Sequence, residues 1–408
     1  MSTFALLVGG GPAPGLNGVI SAVTQEAITR GHKVLGIKNG YELLMGSEKN
    51  CAVELNSESV STIHRLGGSI IGTSRANPQK SPELLNKVVH SLLDLGVEYL
   101  VTVGGDDTST SAGAIARVAQ GKIKVAHVPK TIDNDLPLPN GIQTFGFETA
   151  REVGSGIVES LMADARASRR WYLVVAMGRK AGHLALGMGF SGAASITLIP
   201  EQFPNESYSV STIVNELVSS ILKSSVSNRD YGVAVIAEGI LEKIDPISFP
   251  ELNNAERDEH GHIRYAELDF GGMLKRAVVV KLKEIGTRPI TIVEKNVGYE
   301  LRCADPNSFD REYTKLLGYG AVELLLRGSS EIMVSVQYET LMPIKFSEMI
   351  DSKTGKTAVR YVNLQGALFQ AAQSYMMRIL PGDLADSDKL GAICSLTSLS
   401  SDDFMRSF

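Results

Sequence analysis

The chain has 408 residues, of which 43% are hydrophobic and 21% are charged, and its formal net charge is −5 at pH 7. This length exceeds what one hydrophobic core usually serves, so the sequence predicts two domains of similar size. An acidic chain lacks the basic surface that broad nucleic-acid binding requires. No stretch approaches the ~18 uninterrupted apolar residues of a membrane-spanning helix. We therefore expect no nucleic-acid partner and no membrane partner.

The cysteines and the first residues predict a cytoplasmic protein. Cys51, Cys303 and Cys394 are far apart and in no metal-ligand spacing, which is typical of free thiols in a reducing compartment. The apolar run near the start, Phe4–Val8, leads directly into three glycines without a preceding basic segment. We therefore expect a buried strand there and no signal peptide.

Short apolar runs alternate with longer helical patterns along the first third of the chain. The runs Phe4–Val8, Tyr99–Val103 and Lys124–Val128 predict strands, and the spacing in Pro82–Leu95 and Thr108–Ala119 predicts helices. Strands that alternate with helices are typical of βαβ units, in which a mostly parallel sheet is covered by helices.

The same alternation resumes after residue 145. The predicted elements are a helix at Phe145–Ala167, strands at Trp171–Ala176 and Ser195–Ile199, a helix at Tyr208–Ser225, and strands at Gly232–Ile236 and Ile290–Glu294. The tail from Ala385 is weakly patterned, which predicts a mobile segment. We infer an α/β fold with two Rossmann-like, three-layer lobes, mostly parallel sheets and an active site in the cleft between the lobes. The first lobe holds residues 1–145 and about 304–408, and the second holds residues 146–303.

Unusual polar clusters follow the predicted strands at their carboxyl ends, where functional residues gather in such folds. These clusters are Gly9–Gly11, Gly104–Asp107, Lys130–Asp135, Met177–Arg179 and Glu238.

The first cluster is a glycine-rich loop, Gly9–Gly15, between a predicted strand and a predicted helix. Glycines let the backbone approach an anion closely, and a helix N-terminus offers N–H groups to it. The loop does not match G-x-G-x-x-G, because Pro14 occupies the last glycine position, and no Lys-Ser/Thr pair of a P-loop follows it. The loop predicts a phosphate contact, with a merely tight turn as the alternative.

Asp106 and Asp107 follow Gly104-Gly105 at the point where a strand becomes a helix. One interpretation is that either carboxylate caps the helix. A single cap does not need two acids, however, and adjacent carboxylates beside a glycine loop suit Mg²⁺. We therefore predict a magnesium site, with helix capping as the alternative.

Lys130, Asp133 and Asp135 lie in one loop after a strand. Phosphoryl transfer needs charge neutralisation and a group beside the attacking hydroxyl, and this loop offers a cation and two acids. The alternative is a solvated loop with ordinary charges.

Several arginines and a tyrosine flank the strands of the second half. Arg179 follows one predicted strand, Arg170 precedes it, and Tyr299 and Arg302 follow another. Arginine forks suit a sugar phosphate, although each arginine taken singly is more often a surface salt-bridge partner.

Taken together, these residues resemble the 6-phosphofructokinases over nearly the whole chain. The shared features are the opening glycine loop, Gly104-Gly105-Asp106, Thr131-Ile132-Asp133-Asn134-Asp135, Met177-Gly178-Arg179 and Glu238-Gly239. The resemblance implies that Asp133 is the general base for the sugar's 1-hydroxyl, that Asp106 holds Mg²⁺, and that Gly11 and Arg75 contact the transferred phosphate.

The resemblance also implies a fructose 6-phosphate site. Its implied residues are Thr131, Asp133, Asp135, Arg170, Met177, Gly178, Arg179, Glu238, Arg288, Tyr299 and Arg302. Arg170, and less directly Arg288, match arginines that reach into a neighbouring subunit's site in that family. A homodimer or homotetramer with a shared active site is therefore expected.

Two residues depart from the ATP-using pattern of that family. Asp107 and Lys130 stand where the ATP enzymes carry glycine, and both match the branch that uses pyrophosphate. A carboxylate repels a nucleotide α-phosphate, whereas a lysine balances the terminal charge of pyrophosphate. We therefore expect Asp107 and Lys130 to bind the donor and to take part with Asp133 in transfer from pyrophosphate to fructose 6-phosphate.

Two alternatives stay open at this point. One is the same enzyme with ATP as its donor, and the other is a silent regulatory subunit on the same fold. The intact set of Asp106, Asp133 and Arg179 argues against the second, since a silent copy has no physical need of it.

Overall fold

The structure is a computed structural model, and it describes residues 1–139, 141–203, 207–249, 252, 268–354 and 357–408. Its strands are β1 Thr3–Val8, β2 Lys33–Ile37, β3 Ala52–Leu55, β4 Val97–Gly104, β5 Lys124–Pro129, β6 Arg170–Ala176, β7 Ile196–Leu198, β8 Gly232–Ala237, β9 Thr291–Val297, β10 Ile332–Met333, β11 Val336–Gln337, β12 Thr340–Leu341 and β13 Ile344–Lys345.

The α-helices alternate with these strands, as the sequence predicted. They are α1 Leu16–Thr29, α2 Glu42–Met45, α3 Ser57–Val60, α4 Pro82–Asp94, α5 Asp106–Ala119, α6 Phe147–Ser168, α7 His183–Ser191, α8 Val210–Val226, α9 Phe270–Glu284, α10 Tyr299–Arg302, α11 Ser308–Leu326, α12 Ala367–Tyr375, α13 Pro381–Ala385, α14 Ser387–Cys394 and α15 Ser401–Ser407.

The first of two compact units comprises residues 1–150 and 299–360. Its main sheet has seven strands in the order β13-β10-β5-β4-β1-β2-β3, and β1, β2, β4, β5 and β10 run parallel. In this sheet β2 lies on one side of β1, whereas β4 and then β5 lie on the other side of β1. Crossovers in opposite directions place their helices on opposite faces of the sheet and leave a crevice between β1 and β4.

The central strand β1 shows why the sequence folds this way. Phe4 to Val8 are fully buried, as expected for a parallel strand with both faces covered by helices. Helix α4 begins where its sequence indicates, because the Ser81 hydroxyl accepts a hydrogen bond from the Leu84 N–H and Pro82 occupies the first turn.

The second unit comprises residues 151–298 and 361–408. Its sheet has four strands in the order β7-β8-β6-β9, and all of its strand pairs are parallel. The buried core around Trp171 and Phe270 lies on this sheet. The predicted α/β fold with two lobes and mostly parallel sheets is confirmed.

The last part of the chain differs from its predicted assignment to the first lobe. Residues 361–408 pack in the second unit. The Met377 N–H donates to the Ser195 carbonyl at 2.7 Å, and the Arg378 guanidinium pairs with Glu216 at 2.7 Å. These contacts join residues that are distant in sequence, so local patterning did not reveal them.

The prediction of a mobile tail from Ala385 is wrong. Helices α14 and α15 occupy this segment, and Phe404 on α15 is fully buried in the core of the second unit. Asp386 and Ser400 accept hydrogen bonds from the first N–H groups of the two helices. Both helices have short apolar stripes, which explains the weak pattern in the sequence.

Within the described residues, no helix is both long enough and apolar enough to span a membrane.

Candidate functional site

Two glycine loops meet at the crevice between β1 and β4 in the first unit. The Gly9 N–H donates to the Val103 carbonyl at 2.9 Å, and the Gly10 N–H donates to the Ser74 carbonyl at 2.8 Å. A side chain at Gly9 or at Gly104 would collide with Thr108 on α5. Glycine is therefore required where the two loops approach the start of α5, and Ser74 brings its neighbour Arg75 to the same edge.

Asp106 and Asp107 form the first turn of α5. The residue at the N-cap position is Gly105, so neither carboxylate occupies the N-cap. The Asp106 carboxylate instead accepts from the Asp107 N–H at 2.9 Å. Asp106 is half-buried and Asp107 is exposed. The positive end of the α5 dipole stabilises both negative charges at this position.

This pair of acids fits a magnesium ion of the kind that keeps most of its ligands as water. The described residues contain no cluster of three or more His, Cys, Asp or Glu side chains suited to a metal. Mg²⁺ in phosphoryl-transfer sites is commonly held by one or two carboxylates, with water and phosphate oxygens as its other ligands. Asp106, next to a glycine loop, offers such a carboxylate.

Lys130 lies between these loops and is almost completely buried, with 5% of its surface exposed. Its Nζ donates to the Gly11 carbonyl at 2.5 Å, and its backbone N–H donates to the Gly104 carbonyl at 2.8 Å. One residue therefore connects the loop after β1, the loop after β4 and the loop after β5.

Burial lowers the pKa of Lys130 to about 8, because the protonated amine has lost its water. The charges of Arg302 and Arg75 lower the pKa further, whereas Asp133 and Asp106 raise it. All four side chains are thus close enough to act on Lys130. The structure therefore gathers six of the predicted site residues: Gly11, Arg75, Asp106, Lys130, Asp133 and Arg302.

Arg302 lies over the glycine loop. A Cβ atom added to Gly11 would be 3.3 Å from the guanidinium carbon of Arg302, and that carbon is 5.4 Å from the centre of the Tyr299 ring. The ring face stabilises the cation. Arg75, Lys130 and Arg302 together form a cationic cluster beside backbone that only glycine permits. This arrangement is suited to a polyanion such as a polyphosphate.

The loop Thr131–Asp135 is held by residues far away in sequence. The Thr131 hydroxyl accepts from the Asp133 N–H at 3.0 Å, and the Thr144 hydroxyl donates to the Thr131 carbonyl at 2.7 Å. Asn134 has a φ of 55°, in the left-handed region. These bonds fix the direction of the backbone on both sides of Asp133.

Arg360 completes this support, and the sequence analysis did not identify it. Its Nε donates to the Asn134 carbonyl at 3.1 Å, its Nη1 donates to the Ile142 carbonyl at 2.5 Å, and its backbone N–H donates to the Asp135 carbonyl at 2.8 Å. Burial lowers the pKa of Arg360, and the charge of Asp135 opposes that effect. The separation of 226 residues between Asn134 and Arg360 left no signal in the sequence.

The second unit gathers four predicted residues at the carboxyl edge of its sheet. Ala176 at the end of β6 pairs with Ala237 at the end of β8, so Met177, Gly178, Arg179 and Glu238 follow side by side. The Gly178 N–H donates to the Glu238 carboxylate at 3.2 Å. Gly178 has a φ of 134°, and a side chain at Gly239 would collide with the Arg179 carbonyl.

Glu242 is a further residue of this edge that the sequence analysis missed. Its carboxylate accepts from the Nε of Arg179 at 2.5 Å. The bond orients the exposed guanidinium of Arg179. A lone glutamate four residues after Glu238 gave no signal in the sequence.

Arg170 and Arg288 lie at the opposite edge of the same sheet. β6 runs from Arg170 to Ala176, a rise of roughly 20 Å, so Arg170 is far from Arg179 in the same chain. Arg288 precedes β9, which is parallel to β6, and its guanidinium contacts the Asp230 carboxylate. Within one chain, the structure does not bring Arg170 and Arg288 to the edge that holds Arg179.

Comparisons with known proteins address the chain as a whole. The family model described as Phosphofructokinase matches residues 3–325. The chain is 46% identical over 418 residues to a pyrophosphate–fructose 6-phosphate 1-phosphotransferase of Naegleria fowleri, covering 100% of this chain and 95% of that protein. It is 47% identical over 408 residues to the protein of the same name of Thermotoga maritima, covering 99% and 97%.

A solved structure supports the fold. The crystal structure of a pyrophosphate-dependent phosphofructokinase from Marinobacter aquaeolei matches 92% of this chain and 91% of its own with a TM-score of 0.67, at 17% identity.

The burial of the Lys130 ammonium predicts that the protein becomes more stable to unfolding when this charge is removed. Lys130→Met should raise the free energy of unfolding by about 1–3 kcal/mol at pH 7, because the native state no longer holds a charge away from water. The ordinary pKa of 10.5 applies to the unfolded chain and the pKa of about 8 to the native one. Below pH 8 both states are protonated and the native state bears the whole cost, whereas above 10.5 both are neutral and the cost disappears.

The increase in the free energy of unfolding of Lys130→Met should therefore be largest below pH 8 and should shrink as the pH rises towards 10.5. Denaturant unfolding without ligand at pH 7 and at pH 9.5 measures it. Lys122→Met, at an exposed lysine of the same unit, is the matched control and should change stability little. A loss of stability in Lys130→Met at pH 7, or an equal gain at both pH values, would contradict the prediction.

Proposed function

The chain belongs to the phosphofructokinase family, and from this premise we propose that it transfers a phosphoryl group reversibly from pyrophosphate to the 1-hydroxyl of fructose 6-phosphate. The products are fructose 1,6-bisphosphate and phosphate. The observation that carries the choice of donor is the buried Lys130 ammonium at the Gly11 carbonyl, close enough to Arg75 and Arg302 to be affected by their charges. The Asp107 carboxylate is on the first turn of α5.

The charges in the first unit favour pyrophosphate over a nucleotide. Pyrophosphate is a compact polyanion that can occupy the cationic cluster of Arg75, Lys130 and Arg302 with all of its charge close to these groups. ATP carries the same terminal phosphates but must also place its α-phosphate beyond them. The exposed carboxylate of Asp107 repels an α-phosphate in that position, and this like-charge contact weakens the binding of a nucleotide.

We assign the acceptor chemistry to Asp133. Its carboxylate takes the proton of the sugar's 1-hydroxyl as that oxygen attacks the phosphorus, and the bridging P–O bond of pyrophosphate breaks to release phosphate. Arg360 and Thr144 keep the Asp133 loop in place through the hydrogen bonds to Asn134 and Thr131. Positioning and charge neutralisation supply most of the rate, as is usual for phosphoryl transfer.

Mg²⁺ would bind at Asp106, with water and phosphate oxygens as its other ligands, and would neutralise charge on the transferred group. We propose a set of residues for fructose 6-phosphate on the basis of the family pattern. The proposed residues are Thr131, Asp135, Met177, Gly178, Arg179, Glu238, Tyr299 and Arg302. Substrates of this kind are cytoplasmic metabolites, so we place the protein in the cytoplasm.

We also propose that the active site is shared between subunits of a homodimer or homotetramer. Arg170 and Arg288 are at the amino edge of the sheet of the second unit, away from Arg179. A role for these two arginines in sugar-phosphate binding therefore requires a second copy of the chain.

The choice of donor is tested by kcat/KM for pyrophosphate and for ATP in the parent and three variants. Asp107→Gly should allow ATP to be used detectably while pyrophosphate turnover falls. Lys130→Gly should weaken pyrophosphate use by about 1.5–3 kcal/mol, because a charge-assisted contact is lost. The double variant should shift preference towards ATP by more than the sum of the single changes, since both residues face one polyphosphate.

Asp107→Asn is the matched control, because it keeps the shape of the side chain and removes its charge. It should relax the exclusion of ATP nearly as far as glycine does. The proposed donor is wrong if the parent prefers ATP, or if Asp107→Gly leaves the ratio of the two donors unchanged.

The role of Asp133 is tested by Asp133→Asn, which keeps the shape but removes the proton acceptor. We expect kcat to fall by roughly 10²–10⁴, the usual contribution of a general base, with a much smaller change in KM for either substrate. Asp94→Asn, at an exposed carboxylate at the end of α4, should retain parental kinetics. A kcat within threefold of the parent would exclude Asp133 as the base.

The shared site is tested by mixing two inactive proteins, Asp133→Asn and Arg170→Ala. Hybrid oligomers contain some sites with an intact Asp133 and an intact partner Arg170, so part of the activity should return. Mass spectrometry of the intact oligomer must first establish that subunits have exchanged. Arg166→Ala, at an exposed arginine on α6, should be active without mixing. Verified hybrids without recovered activity would argue against a shared site.

A further inference from the structure

His127 is a fully buried histidine that the proposed reaction does not use. It lies on β5, three residues before Lys130, with 0% of its surface exposed. Its Nε2 is 2.9 Å from the Gly104 carbonyl oxygen, and its Nδ1 is 2.8 Å from the Thr102 hydroxyl. The ring of Phe346 packs edge-on against it, with 6.5 Å between ring centres.

The two hydrogen bonds define a single tautomer. A carbonyl oxygen only accepts, so Nε2 must carry a hydrogen and donate it to Gly104. Burial lowers the pKa of His127 to about 3, and its ring is therefore neutral. Nδ1 then has no hydrogen and accepts from the Thr102 hydroxyl. The Gly104 carbonyl thus selects the tautomer, and the Thr102 hydroxyl donates to the ring nitrogen that carries no hydrogen.

The Gly104 carbonyl receives two hydrogen bonds from β5 and its following loop. The second donor is the backbone N–H of Lys130, at 2.8 Å. Gly104 ends β4, and the next residues, Gly105 and Asp106, begin the turn into α5. Hydrogen bonds to the Gly104 carbonyl therefore link the segment that carries Asp106 and Asp107 to the loop that carries Lys130.

We propose that His127 is a positioning residue for the phosphoryl-donor site. Through the Gly104 carbonyl it fixes Asp106 and Asp107 relative to the Lys130 ammonium, and so it sets the fit for pyrophosphate. The inference rests on the proposed function. It assigns a donor-site role to a core side chain that contacts neither substrate and that lies on the strand rather than in the loop.

A purely structural role for the same histidine makes a different prediction. Thr102 and His127 satisfy one another and lie in an apolar core. Replacing both members of a buried polar pair by apolar groups of similar shape is nearly neutral for stability, because no polar side chain is left without a partner. The Gly104 carbonyl would still accept from Lys130. A structural pair would therefore tolerate its joint replacement, whereas a positioning residue would not.

The test uses the full chain and two complete sets of steady-state kinetics, one with pyrophosphate varied and one with fructose 6-phosphate varied. The central variant is the double change Thr102→Val with His127→Leu. We expect its melting temperature to stay near that of the parent and its KM for pyrophosphate to rise about tenfold, which corresponds to one lost hydrogen bond at the site. Its KM for fructose 6-phosphate should stay within about twofold.

Two further variants decide between positioning and packing. The amide nitrogen of glutamine in His127→Gln stands where Nε2 stood and can donate to Gly104, so this variant should recover most of the lost affinity for pyrophosphate. Thr102→Val alone removes the donor to Nδ1 and leaves that buried nitrogen without a partner, which weakens the hold on the ring that donates to Gly104, so its KM for pyrophosphate should be intermediate. Thr24→Val removes another fully buried threonine hydroxyl of the first unit, on α1, and should leave both KM values unchanged.

The proposal is overturned by any of three results: a parental KM for pyrophosphate in the folded double variant, equal rises of both KM values, or a His127→Gln variant no better than the double variant. Should the double variant not fold, the KM for pyrophosphate of Thr102→Val decides, and a parental value overturns the proposal. If the parent protein has no activity with pyrophosphate, the proposed function is wrong, and this result is distinct from a failure of the His127 proposal.

Discussion

The site in the first unit depends on one costly interaction, the burial of the Lys130 ammonium. Its contact with the Gly11 carbonyl does not replace the water that it has lost, and two arginines nearby raise the cost further. Such a group stays in place because the surrounding backbone holds it, and an anion in the proposed donor site would give it further partners. In the proposed donor site, the same positive charge that makes the ligand-free protein less stable would attract a polyphosphate. Stability and function are therefore opposed at this residue.

The rigidity comes from the topology of the sheet. Crossovers leave β1 in opposite directions, and this opens the crevice into which the ends of β1, β4 and β5 all lead. Lys130 then ties the three loops together through Gly11 and Gly104. Support from more distant parts of the chain is added around this centre, by His127 beneath the Gly104 carbonyl and by Arg360 beside Asn134. The functional side chains stand on short loops, but each loop is fixed at its base by buried hydrogen bonds.

Under the proposed function, donor choice follows from charge. The residues that we propose for phosphate binding would serve any polyphosphate, and in the proposal a nucleotide is disfavoured by Asp107, an exposed carboxylate on the first turn of α5. Because that turn already lies at the positive end of a helix, an acid there costs the fold little. A difference of one or two charges can therefore separate donors within one fold, without any change to the strands that carry the loops.

Much of this protein was predictable from the sequence because the relevant signals are local. Apolar runs marked the strands, and glycines and acids directly after them marked the loops that hold Asp106, Lys130 and Asp133. The tertiary structure alone decided the rest. The support of Asn134 by Arg360 joins residues that no local pattern connects. The separation of Arg170 from Arg179 depends on the direction of one strand, and the packing of the tail in the second unit depends on contacts with distant helices. Local sequence patterns indicate the conformation of a few neighbouring residues. Contacts between residues that are distant in sequence depend on how whole helices and strands pack against one another.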